Sequence, residues 1–143
     1  MVIRFKNWGG VSLEDLVREQ TYKLLKKHGY TDVDLEKLRN HVINKIEKRM
    51  KVESKNPYTE EKHSIPVIDF VYEVQHNMPW KIITLQKMRT HSEDELRFCY
   101  YILNYTLLKK SGKLQMKYGQ FGLNIPIEDY NNLIEKAKRK GMI

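Results

Sequence analysis

Two apolar stripes at helical spacing, divided by the stop signal Lys26-Lys27-His28-Gly29, constrain the first third of the chain most strongly. Leu13, Leu16, Val17, Leu24 and Leu25 fall on one side of a helix. Ser12, with Asp15 following it at capping-box spacing, can satisfy free amides at the helix start. Lysines and a histidine suit the negative end of the helix dipole, and glycine tolerates the left-handed cap that ends it. A second stripe begins near Thr31 or Asp32, with Asp34 in its first turn, and continues through Leu35, Leu38, Val42, Ile46 and Met50. Lys37, Arg39, Lys45, Lys48, Arg49 and Lys51 lie mostly off that stripe. The short turn between the stripes predicts an antiparallel helical hairpin within residues 1–54. Ahead of it, Val2 to Trp8 and Gly9-Gly10 read as an edge strand or a docked tail.

Residues 55–64 are polar, carry Asn56-Pro57 and the charged run Glu60-Glu61-Lys62, and read as a linker. The second part of the chain, 65–143, is less uniform. Residues 67–76 are rich in β-branched side chains, yet Val67, Ile68, Val71 and Val74 also fit a helical face; Ser64 as cap and Pro66 in the first turn favour helix. Met78-Pro79 breaks it, residues 81–84 read as a short strand, and 85–89 as a short helical turn. Ser92, with Glu95 in the capping-box position, opens a helix over 92–110 whose stripe is Leu96, Cys99, Tyr100, Leu103 and Leu107. Gly112 ends it. Residues 113–118 alternate as a strand does, and Gly119-Gln120 turns the chain into 121–125, making a β-hairpin. Pro126 starts a last helix with Ile127, Tyr130, Leu133, Ile134 and Ala137 inward and Lys136, Lys138, Arg139 and Lys140 at its end. The expected fold class is mainly α with a small β-hairpin, an α+β arrangement of helical hairpin, mixed unit and C-terminal helix.

The stretch SEDELRFCYYILNYTLLKKSGKLQMKYGQFGLNI, a capped helix running into a glycine and then a two-stranded hairpin, resembles the recognition helix and wing of a winged helix-turn-helix domain. The resemblance covers about residues 65–125 and rests on element order. It implies DNA binding, with the 92–110 helix entering the major groove and the wing touching backbone or minor groove. Carried onto this chain, Arg97, Tyr101 and Asn104 would approach base edges, Lys109, Lys110, Lys113 and Lys117 would neutralise phosphates, and Gln120 would probe a groove from the wing tip. Glu93, Asp94 and Glu95 at the start of that helix would repel phosphate, although acidic side chains suit any helix start.

Charge points the same way. The 143 residues include 26 basic and 18 acidic side chains, a net charge of +8, which gives a positive long-range field. Lysine outnumbers arginine, which favours diffuse phosphate attraction over bidentate base reading. Tyr100, Tyr101, Tyr105, Tyr118 and Phe121 could stack on single-strand bases, although Tyr100 and Phe121 suit a core better.

Chemistry is harder to find. His28, His41, His63, His76 and His91 show no metal-ligand spacing with one another or with Cys99, and no phosphate-binding glycine loop occurs. Cys99, the one cysteine, falls on an apolar stripe and reads as a small buried hydrophobe. Asp69 and Glu73 form a carboxylate pair without further ligands. No catalytic residue, metal site or cofactor is expected, and no segment approaches the roughly 18–20 apolar residues of a membrane helix. The N-terminus lacks a secretory pattern, so a reducing, cytoplasmic compartment is expected, including that of an infected host.

Three functions fit these readings. The first is a nucleic-acid-binding regulator of transcription, of viral, phage or mobile-element type. The second is a protein-binding modulator or inhibitor of a nucleic-acid enzyme such as a polymerase or nuclease, which the acidic helix start suits better. The third is a helical virion or assembly protein, dimerising through the N-terminal helices.

Overall fold

The computed structural model describes residues 13–49, 51–55, 58, 62–119 and 122–143. Its elements run α1 (Leu13–Lys27), α2 (Asp32–Arg49), β1 (Lys51–Lys55), β2 (Lys62–Val74), β3 (Lys81–Arg89), β4 (Asp94–Leu103), α3 (Tyr105–Ser111), β5 (Met116–Tyr118) and α4 (Ile127–Lys140). The fold is mixed α and β. All strands are antiparallel and follow chain order across the sheet, β1-β2-β3-β4-β5.

Two helices form where the stripes predict them, and Leu24 and Leu25 of α1 cluster with Leu35 and Leu38 of α2. Gly29 ends α1 with φ of 76°, a conformation that costs glycine little. Asp34 caps α2 by accepting the backbone N–H of Thr31 at 2.8 Å and its hydroxyl at 3.1 Å. The Ser12 cap lies outside the described residues. At the other end of the chain, α4 finishes at Gly141, φ 78°, after Lys138, Arg139 and Lys140.

The middle of the chain departs from expectation. Residues 67–74 are strand, 85–89 continue β3, and most of the expected 92–110 helix is β4, with only the short α3 after it. The physical reason is that both faces of this sheet are covered. Ile82 packs with Ile43 and Ile46 of α2, whereas its neighbour Ile83 packs with Leu133 and Ala137 of α4. A strand buried on both faces reads as a continuous apolar run, so its period of two vanishes. In β4 the buried Cys99, Tyr100 and Leu103 and the exposed Leu96 fall at spacings that imitate a helix. The aromatic and β-branched content of Phe98-Cys99-Tyr100-Tyr101-Ile102 suits the pleat, and the ladder to β3 runs from Lys81↔Ile102 to Arg89↔Asp94.

Among the described residues, no second strand follows β5 where the wing hairpin is expected. β5 pairs with β4, as Tyr101↔Tyr118 and Leu103↔Met116, and residues 122–126 are irregular. Glu93 lies in the β3–β4 turn, where Thr90 donates to its carbonyl at 2.6 Å, and Asp94 opens β4, paired with Arg89 at 3.2 Å. Part of the expected linker is likewise strand, since β1 pairs with the first residues of β2, Lys51↔Pro66 to Lys55↔Lys62.

A third cluster joins the helical hairpin to the sheet: Leu25 of α1, Leu35 of α2, Trp80, Leu103 and Leu108 of α3, with Tyr22 edge-on to Trp80 at 4.8 Å. Tyr30 fastens the same corner by donating to the Gly112 carbonyl at 2.6 Å. Beyond Pro66, the outer side of β2 has no strand partner among the described residues. There Lys136 donates to the Tyr72 carbonyl at 3.0 Å and Lys140 to the Phe70 carbonyl at 2.8 Å.

Candidate functional site

On the α2 side of the sheet, strand alternation places Thr84 and Gln86 of β3 beside Arg97, Cys99 and Tyr101 of β4 and Tyr118 of β5. These residues form one connected set. The Arg97 guanidinium donates through Nη2 to Oε1 of Gln86 at 2.8 Å, and Gln86, 2% exposed, donates in turn to the Thr84 hydroxyl at 3.4 Å. Thr84 Oγ1 lies 2.8 Å from Sγ of Cys99. Above this polar layer, the ring of Tyr118 stands edge-on to Tyr101, with centroids 5.5 Å apart, and Arg97 lies 5.9 Å from the Tyr118 centroid. Burial pushes the Tyr101 phenol up to about 12 and raises that of Tyr118, in both cases against the pull of Arg97. Both rings are therefore neutral in ordinary solution, fit to stack or to donate a hydrogen bond rather than to act as bases.

Next to β5 runs a groove of about 510 Å³ between α2 and the segment leading into the strand. Its floor is apolar, with Leu38, Val42, Leu114 and Met116, and its polar rim carries His41, Lys45 and Lys113. Among the described residues, no carboxylate lines it. The groove and the Arg97 set share the α2 side of the sheet, since Met116 and Tyr118 are two apart on β5.

Among the residues expected at a nucleic-acid site, the structure thus joins Arg97 and Tyr101 through Tyr118 and sets Lys113 in the groove. Lys117 is exposed on β5 but points to the opposite face from Tyr118. Asn104 is occupied as the N-cap of α3, where its side-chain oxygen accepts the Leu107 N–H at 3.1 Å. Lys109 and Lys110 are exposed in the last turn of that helix. Gln120 lies outside the described residues. His41, Lys45 and Gln86 belong to the site without having been expected there. For Gln86 the missing signal was the strand reading of β3 and β4, which would have put it opposite Arg97. The two α2 residues are joined to Lys113 only by tertiary packing.

Two further features stand apart. Asp129, 1% exposed, accepts from or donates to Nδ1 of His76 at 2.8 Å and also accepts its backbone N–H at 3.2 Å, while Glu128 lies 3.9 Å from Nε2. No hydroxyl or thiol hydrogen-bonds to that ring among the described residues, so the pair ties the β2–β3 turn to α4 rather than activating a nucleophile. On the α4 side, Leu96, Phe98 and Tyr130 are 48%, 39% and 44% exposed, with the Phe98 and Tyr130 rings 6.2 Å apart. No group of His, Cys, Asp and Glu among the described residues is placed to hold a metal ion, and none of their helices is long and apolar enough to cross a membrane.

No protein-family model matches the chain, and no curated protein or solved structure is significantly similar to it.

Proposed function

We propose that the protein acts by binding nucleic acid on the α2 side of its sheet. The observation that carries this reading is the groove rimmed by His41, Lys45 and Lys113 and lined, among the described residues, by no carboxylate, in a chain of net charge +8. A polyanion gains most where cations converge without acidic neighbours, and it releases its own counterions on binding. The apolar floor beside those cations gives sugar or base edges a surface that a purely electrostatic patch lacks. Fluorescence anisotropy with a mixture of labelled single- and double-stranded oligonucleotides, from about 50 to 200 mM salt, tests the reading. Binding should weaken steeply with salt, and Lys45→Glu with Lys113→Glu should abolish most of it. Absence of binding at low salt, or a flat salt response, overturns it.

A second reading, a protein-binding modulator, draws on the exposed Leu96, Phe98 and Tyr130 on the other side of the sheet. Apolar side chains exposed together are a common docking surface. If Phe98→Glu removed a biological effect that Lys45→Glu left intact, this second reading would displace the first.

A further inference from the structure

Resting on the nucleic-acid reading above, we infer that the ligand is a single strand, laid along β5 so that a base stacks at Tyr118 while its phosphates meet Arg97 and the Lys45–Lys113 groove. Sequence reading of a duplex needs an element that protrudes into a groove. Most of the segment expected to supply one, 92–110, is the strand Asp94–Leu103, which lies between β3 and β5. The helix that follows it has seven residues, and its capping Asn104 is already engaged. What this side of the molecule offers instead is a pleated surface with an aromatic ring on it. Proteins that hold single strands combine such rings with a cationic track, because every base has a π-face and every nucleotide a phosphate.

Tyr118 supplies the ring. It is 45% exposed, although its strand lies against the core at Met116, and Tyr101 supports it edge-on. Arg97 supplies the fixed cation. A guanidinium has five N–H donors, and here the only oxygen acceptor among the described residues is Gln86 Oε1; Sγ of Cys99, 3.8 Å from Nη2, is a weak second partner. Nε is enclosed without a partner, and no carboxylate forms an ion pair with Arg97 among the described residues, the exposed Glu95 two residues away included. An arginine held from beneath by a buried glutamine, with donors to spare, is pre-organised for an oxyanion. Lys113 lies five residues before Tyr118, a distance of at most roughly 18 Å along the chain. With Arg97 5.9 Å from the Tyr118 ring centroid, phosphates a few nucleotides apart on one short strand can therefore reach both cations.

The test is anisotropy with one labelled sequence presented as single-stranded DNA, as single-stranded RNA and as the DNA duplex, using the full chain. At least one single strand should bind on the order of tenfold tighter than the duplex. Tyr118→Ala should weaken that binding roughly 5- to 150-fold, the range of one base stack, and Tyr118→Phe should restore it. Arg97→Gln should lower the salt slope by about 0.7, one single-strand phosphate. Duplex binding equal to or tighter than both single strands, or Tyr118→Ala binding as the parent does, overturns the single-strand inference while leaving nucleic-acid binding in place. Failure to bind any of the three overturns both.

Discussion

His76 is held by Asp129: one buried carboxylate takes both the ring Nδ1 at 2.8 Å and the backbone N–H at 3.2 Å of the same residue. The hydrogen bond to Asp129 is the main reason the imidazole pKa is raised; burial and Arg18 oppose it, and the charges of Asp129 and Glu128 add to it. An unfolded chain has its histidines near about 6.5. The folded state therefore binds the proton more tightly, and the pair's contribution to stability is complete below about pH 6.5 and disappears as pH rises through the raised value. Urea midpoints measured between pH 6 and 9 should fall across that window. The fall should be shallower in His76→Gln. Equal slopes in the two proteins would refute the assignment.

Gly119 should accept no side chain. A Cβ built there would lie 2.1 Å from ring atoms of Tyr100, which is itself buried. Gly119→Ala must displace that ring and should cost about 1–3 kcal/mol in chemical denaturation, as overpacking of a core does. Combined with Tyr100→Leu, the added cost should shrink, because the two positions share one space.

Asn104→Ala separates capping from reading. Its side chain serves the first turn of α3, so the loss should be about 1 kcal/mol of stability with nucleic-acid affinity unchanged. A large drop in affinity at full folding would instead return Asn104 to the binding surface.

Cys99 is 4% exposed and faces Thr84 across the β3–β4 ladder. A thiol reagent should modify the native protein slower than the urea-unfolded chain by a factor on the order of 100 or more, since access requires opening of the sheet. Rapid native labelling would show that this part of the sheet opens readily.

The parts legible in the sequence were those whose signals are local. Gly29 and Asp34 mark the end of α1 and the start of α2, and α4 carries apolar residues on one side with basic residues at its end. β3 was illegible because it lies between α2 and α4, so Ile82 and Ile83 both had to be apolar and no alternation survived. In β4 the apolar residues fell into a false helical stripe, which only the long-range ladder to β3 resolves. The site was half legible. Arg97, Tyr101 and Lys113 stood out by residue type, and Tyr118 as an aromatic residue flanking the Gly119-Gln120 turn. Their grouping depended on the strand that had been read as a helix, and the contribution of α2 could be seen only in three dimensions.

The two lysines of α4 that donate to Phe70 and Tyr72 have a consequence for how molecules of this protein meet. A sheet can recruit a neighbour through any strand whose outward carbonyls are vacant, which is how edge-to-edge polymers begin. Here two of those acceptors are taken by Lys140 and Lys136 of the same chain, and a second copy approaching from that side encounters positive charge in place of a template. The end of α4 thus works as a terminator on the β2 side of the sheet.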